Sequence, residues 1–285
     1  MKTTIITSLL IGFTGISYSQ TEIQIPRKHI KSGIQINGIY SSFQDTKYSN
    51  VSYNGYGTGL ELIHSIDRGS NRMEFGLRFN YSNSKPSTFS VNEELIGTEL
   101  KKIGTAKEFR PTIYGRYTQK LNEHFAVGGK LDALDATFRI TNGLGNNSVY
   151  YNNGHNLLAS GRYDRSLSSK LHLSVTVDLG IISWMRESTG FAFSTPQSVV
   201  AEGAFNYQDK AVNNPFGYRF FEMLPIWKYG NLSVTSEINY SKRWVFSYTW
   251  NLRRFSTVKE YPTTIGLHTI GARFNFRNKL KQKRK

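Results

Sequence analysis

The 285-residue chain has no cysteine and only 7 prolines. Without cysteine there is neither a disulfide framework nor a lipidated cysteine, which excludes a small extracellular domain held by cross-links. Stability must then come from a large core or from closed backbone pairing. Long hydrophobic runs are missing too. The best of them, Ile5 to Ile16, is shorter than the ~20 residues of a spanning helix, so no transmembrane helix is expected in the mature protein. Negative charge is scarce: 20 Asp and Glu stand against 36 Lys and Arg, a formal net charge of +16. The 6 His show no metal-ligand spacing. No glycine loop is built to cradle a phosphate, because Gly55, Gly57 and Gly59 alternate as in a tightly curved strand. No cofactor and no metal are expected.

What the chain does have begins at its first residues. Lys2, an apolar stretch and the small residues Ser17 and Ser19 around Tyr18 form a secretory signal peptide over residues 1–19. Cleavage is predicted after Ser19, leaving a periplasmic N-terminal segment, 20–31. Export makes nucleic acid a poor partner for the positive surplus. The anions within reach are lipopolysaccharide phosphates, anionic lipid, acidic glycans or an acidic protein.

The strongest pattern lies between Lys170 and Ile182. Leu171, Leu173, Val175, Val177, Leu179 and Ile181 alternate with His172, Ser174, Thr176, Asp178 and Gly180. Successive side chains of a strand point to opposite faces, so this strand is apolar on one side and polar on the other. Similar segments occur at Gly33 to Ser42, Tyr53 to Ile66, Met73 to Tyr81, Phe109 to Leu121, Phe125 to Ala133, Leu157 to Tyr163 and Thr264 to Phe276. A weaker strand is expected over Tyr218 to Tyr229, with a turn at Gly230-Asn231. From Leu232 to Leu252 one phase persists, which predicts a single very long strand.

Short turns and long loops alternate between these segments. The long ones are Ser82 to Glu108, Thr141 to Gly154 and Met185 to Pro215. The fold expected is all-β: a transmembrane, antiparallel, up-and-down β-barrel over residues 32–276, with about ten strands. Twelve strands is the alternative, because a hairpin hidden at Ser241 to Arg243 would change the count. Mean hydropathy of −0.43 does not oppose this, since lumen-facing residues and polar loops dilute the lipid-facing ones. A secreted β-sandwich is the soluble rival.

The two faces carry different chemistry. Tyr40, Tyr56, Phe79, Tyr81, Phe125, Tyr163, Trp184, Trp227, Tyr229 and Phe276 lie near predicted strand ends, where aromatic girdles meet lipid head groups. On the polar face, Glu74, Arg78, Arg116, Lys130, Asp132, Arg162, His172, Asp178, Glu237 and Arg273 predict a lumen cross-linked by ion pairs. Aqueous pores need about 16–18 strands, so ten strands predict a narrow or plugged lumen.

The last strand ends Gly271-Ala272-Arg273-Phe274-Asn275-Phe276. This resembles the closing strand of bacterial outer-membrane barrels, which finishes on an aromatic residue. Together with the signal, the aromatic strands and the basic charge, it is similar to the small outer-membrane β-barrel proteins of Bacteroidota. The resemblance implies an integral place in the cell outer membrane. One departure is that residues 277–285 follow the terminal aromatic. This basic tail holds Arg277, Lys279, Lys281, Lys283, Arg284 and Lys285, and is expected to lie near inner-leaflet phosphates or an acidic periplasmic partner.

No catalytic constellation emerges. Asp135 and His155 could meet at the outer rim, as in a hydrolase. His172 and His268 are lipase candidates by residue type only, because no serine motif marks a nucleophile. The expected function is therefore non-enzymatic. Loops, wall or tail would contact outer-membrane lipid, lipopolysaccharide and an outer-membrane or periplasmic protein, as a structural or accessory subunit of a complex. The alternative is a narrow porin-like channel preferring small anions; the lesser one is the rim hydrolase.

Overall fold

The computed structural model describes residues 29–46, 52–87, 105–141, 148–187, 222–241, 243–256 and 262–276. Eleven antiparallel strands make one sheet: β1 (His29–Asp45), β2 (Ser52–Asp67), β3 (Asn71–Pro86), β4 (Ala106–Lys120), β5 (Phe125–Thr141), β6 (Ser148–Ser166), β7 (Leu171–Glu187), β8 (Glu222–Pro225), β9 (Tyr229–Tyr240), β10 (Trp244–Phe255) and β11 (Thr263–Phe276). β1 pairs with both β2 and β11, and β7 with both β6 and β9, so the sheet closes on itself. The short β8 continues the line of β9, pairing with Ile182–Met185 of β7 beyond the β9 contact. The ring therefore has ten positions.

Register fixes the dimensions of this ring. Paired residues followed once around the wall lead from Ile30 through Ile66, Met73, Tyr117, Gly129, Ala159, Leu179, Leu232, Leu252 and Gly266 to Ser42, twelve positions along the starting strand. Ten positions with that stagger imply a strand tilt of about 40° and a backbone radius of roughly 10 Å. The connections 68–70, 121–124, 167–170 and 241–243 lie at the same end as His29 and Phe276. Short turns and both ends of the described wall mark the periplasmic side.

Several strands run further than hydrophobic alternation shows. β1 starts at His29, β3 reaches Pro86, β4 begins at Ala106 and β6 at Ser148. A 17-residue strand such as β7 rises roughly 40 Å, against the ~25 Å apolar band of such barrels. Beyond that band the outward side chains need not be apolar, although the ladder continues. Parts of the expected loops 82–108 and 141–154 are thus paired wall.

Two expectations about the C-terminal half are corrected. Of the expected strand 218–229, residues 218–221 lie outside the described residues; Glu222–Pro225 form the short β8, 226–228 turn, Tyr229 already begins β9, and Gly230-Asn231 lies within β9 rather than in a turn. The stretch Leu232 to Leu252 is two strands, not one. Its turn is 241–243, with Ser241 at φ 67° and Trp244 opposite Tyr240. A turn that pairs residues four apart restores the same parity to the same face, so the alternation runs through it unbroken. The two errors cancel in the count.

Outside, the wall is apolar. Ile36, Leu60, Phe75, Leu131, Leu179, Phe246 and Ile270 are all exposed to the surroundings. At the loop end, rings touch across β3 to β6: Phe79–Phe109 at 6.1 Å, Phe109–Phe138 at 6.4 Å and Phe138–Tyr151 at 4.4 Å. At the periplasmic end, Phe125–Tyr163 and Trp244–Phe274 are 5.1 and 5.2 Å apart. Tyr229 is the exception among the expected girdle residues, pointing inward and fully buried. A closed ladder with a greasy exterior and a polar interior satisfies the backbone within lipid, as an integral outer-membrane β-barrel must.

Candidate functional site

The inside of the barrel is filled by tiers of charged side chains. Nearest the periplasm, Glu237 pairs with Arg273 at 3.0 Å and Arg162 at 3.9 Å, while Arg162 also holds Asp164 at 2.9 Å. Glu74 accepts from Arg72 and from Arg116, both at 2.8 Å. The second arm of Arg116 donates to Asp178 at 2.6 Å, and Ser160 donates to the other oxygen of Asp178. Glu61 accepts from Arg78 at 2.8 Å and from the Tyr114 hydroxyl at 2.9 Å. Lys130 lies 2.9 Å from Asp132. Toward the loop end, Asp135 meets Arg253 and accepts from Asn156. In the outermost tier Glu108 binds Arg110 and Arg139, and Arg139 lies 3.8 Å over the Phe43 ring.

Local sequence makes this packing possible. Arg72, Glu74 and Arg78 of β3, Glu108, Arg110 and Arg116 of β4, and Lys130 and Asp132 of β5 keep to alternate positions and project into the same lumen. Beyond a shift in pairing, Asp135 and Arg139 of β5 join them. Gly76 stands opposite Tyr114, and a Cβ at Gly76 would lie 2.1 Å from that ring. Glycine therefore lets the Tyr114 ring lie against the wall and reach Glu61. The other side of the barrel carries short groups: Ser233 and Thr235 on β9, Ser247 and Thr249 on β10, Gly271 on β11. Long arms from β3, β4 and β5 thus extend toward a wall of hydroxyls. A void of about 50 Å³ lies among these side chains, room for the centres of a few waters at roughly 10–15 Å³ each. Above the charged tiers, Phe43, Ala106, Met185, Leu224, Tyr229, Phe255 and Ile265 form a buried apolar cap.

The structure brings together nine of the ten polar residues singled out in the sequence: Glu74, Arg78, Arg116, Lys130, Asp132, Arg162, Asp178, Glu237 and Arg273. His172 stands apart at the periplasmic mouth, bonded to Ser166 at 2.9 Å. Sequence reading missed Glu61, Tyr114, Asp135 with Arg253, and the set Asp45, Glu108, Arg110 and Arg139. Glu61 continues the phase of Gly55, Gly57 and Gly59, a signal that was there to follow. The outer set lies where the strands outlast the apolar alternation.

Below the tiers the lumen widens into a vestibule of about 870 Å³. Lys31 and Lys120 line it from β1 and β4, and Arg165 and Lys170 from the β6–β7 end. Arg72, Arg162 and Asp164 of the lowest tier border it on the lumen side. The basic tail, the signal peptide and most of the segment 20–31 lie outside the described residues.

The rim dyad is overturned. Asp135 is buried in the lumen against Arg253, whereas His155 lies on the other face and bonds to the Ala133 carbonyl at 2.6 Å. The cause is a β-bulge. Pairing between β5 and β6 shifts between Asp132 and Asp135, and one extra residue exchanges the faces of everything beyond it. His268 faces outward and bonds to the Tyr248 hydroxyl at 2.8 Å. Among the described residues, no three His, Asp or Glu side chains are grouped as metal ligands.

No protein-family model matches the chain, and no curated protein matches it in sequence. Solved structures similar to it include the translocator domain of the autotransporter NalP from Neisseria meningitidis, at 9% identity over 95% of this chain and 93% of that one, with a TM-score of 0.41. The β domain of the Bordetella autotransporter BrkA is similar at 11% identity, 86% and 99% coverage and a TM-score of 0.42. Ail, the attachment invasion locus protein of Yersinia pestis, in complex with the heparin analogue sucrose octasulfate, gives 9%, 87%, 99% and 0.34. At these scores the likenesses identify neither a family nor an activity.

Proposed function

We propose that this chain is a sealed, non-enzymatic outer-membrane barrel that acts through its rims, wall and tail, as a structural or accessory subunit of an outer-membrane complex. The observation that carries this reading is the lumen crossed by ion pairs, Arg116 to Asp178, Arg162 to Glu237 and Arg253 to Asp135 among them, around a mid-barrel void of about 50 Å³. The positive surplus does not form an anion path there, because the lumen cations face carboxylates at close range. Separation of Asp135 from His155 by the wall argues against rim hydrolysis. The aromatic girdles and basic residues suit outer-membrane lipid and lipopolysaccharide as surroundings, and the overall pattern remains similar to the small barrels of Bacteroidota.

Single-channel recording in planar bilayers tests the seal: a correctly inserted barrel should be silent, and steady unitary current would establish the narrow anion channel instead. In-cell crosslinking tests the subunit role. A reproducible membrane or periplasmic neighbour is expected, and a barrel that crosslinks to nothing refutes that role.

A further inference from the structure

The periplasmic vestibule lies below the lumen ion-pair tiers, and the sealed lumen makes it a blind recess rather than the mouth of a passage. At about 870 Å³ it falls within the roughly 300–1,000 Å³ range of ligand sites. Four cations on its wall, Lys31, Lys120, Arg165 and Lys170, stand in no direct ion pair among the described residues, although Asp67 lies near enough to attract Lys31. This contrasts with the tiers above, where arginines and lysines are matched by acids. Unmatched charge in a concave, low-dielectric setting attracts counter-charge more strongly than the same charge on an open surface.

The placement of these cations selects the ligand. β1 and β6 are five positions apart in a ring of ten, so Lys31 and Arg165 stand on opposite sides. The backbone diameter is about 20 Å, too wide for one small anion to engage both. A ligand that satisfies the set must carry several negative charges along its length. Asp67, Glu123 and Asp164 are interspersed on the same wall, with Ser166 and Ser169. A ligand made only of anionic groups would meet repulsion at those acids. An extended acidic peptide offers carboxylates to the cations and backbone N–H groups to the acids and hydroxyls. About six extended residues cover 20 Å at ~3.3 Å each.

We infer that the vestibule is a receptor for an acidic peptide segment presented by a periplasmic partner, an inference that rests on the sealed-lumen reading. Recognition is charge-dominated, so affinity falls as salt rises. The basic tail follows Phe276 in sequence and lies outside the described residues; the recess is formed without it.

The test is fluorescence anisotropy with dye-labelled hexaglutamate and the whole protein in detergent micelles. Saturable, salt-sensitive binding is expected, with none for labelled hexaglutamine. Substituting Lys31, Lys120, Arg165 and Lys170 together by Gln should weaken binding roughly tenfold to a hundredfold, because each exposed ion pair contributes little by itself. Each single Gln variant should show a part of that loss, and Lys107→Gln at the opposite end should show none. The tail stays intact throughout, so unchanged affinity in the fourfold variant would assign binding to the tail and overturn the inference. Tighter binding of inorganic tripolyphosphate than of hexaglutamate overturns the peptide assignment. Conductance measured on the same preparation separates the two claims: current refutes the seal, whereas a silent barrel that ignores hexaglutamate refutes the receptor alone.

Discussion

Replacing Arg116 by alanine removes the side chain that ties three strands of the lumen together. Its two arms donate to Glu74 at 2.8 Å and to Asp178 at 2.6 Å, and only 14% of the side chain is exposed. Hydrogen bonds to charged groups contribute about 1.5–3 kcal/mol each, and breaking a buried ion pair costs ~3–5 kcal/mol when a charge is stranded. Here only one carboxylate is stranded, since Glu74 keeps Arg72 while Asp178 keeps the Ser160 hydroxyl but no cation. We therefore expect the lower edge of that range, about 3 kcal/mol. The assay is reversible urea unfolding from lipid vesicles, followed by fluorescence. Trp184, Trp227 and Trp244 are exposed on the outer surface and report the loss of lipid contact. Asp178→Asn completes a double-mutant cycle, with an expected coupling of about 1–2 kcal/mol. A loss below ~1 kcal/mol, or no coupling, would show that the tiers do not act as ion-pair braces.

Four further outcomes follow from the geometry. Gly76→Leu should displace the Tyr114 ring from Glu61 and cost about 1–3 kcal/mol by overpacking, measured by the same unfolding titration. Leu179→Arg places a charge midway along the outer face of β7 and should cost ~2–4 kcal/mol in vesicles, with little loss in detergent. Ser241→Gly should relieve the positive φ and stabilise by roughly 0.5 kcal/mol, whereas Ser241→Val should destabilise. Asp135→Asn should lower stability through Arg253 while His155→Ala changes it little. The double variant should be additive, and strong coupling between them would restore the rim dyad.

The barrel was legible because apolar and polar residues alternate over the middle of most strands, as Leu171 to Leu179 do. Strand ends were not legible, because hydrogen bonding continues after outward residues stop being apolar. The hairpin at Ser241 escaped notice since its three-residue turn preserves parity, and β8 was overextended because four paired residues carry too little pattern. Bulges hid the rest. The extra residue at Ala133 turned Asp135 inward, and a second irregularity beside Leu157 and Leu158 reverses phase in β7 near Ile181. Lumen partners such as Arg116 and Asp178 were recognisable by phase, while which charge meets which depends on stagger around the ring. His172 shared that phase yet lies below the tiers, because alternation gives the face of a residue and not its height.

The contrast between the long arms of β3 to β5 and the hydroxyls of β9 and β10 makes the seal one-sided. Shortening a few arms would open an off-centre duct along Ser233, Thr235, Ser247 and Thr249. Its bore would depend on which arms remain, not on how many strands form the wall. Permeability in this barrel is thus adjustable by substitutions that leave every backbone pairing in place.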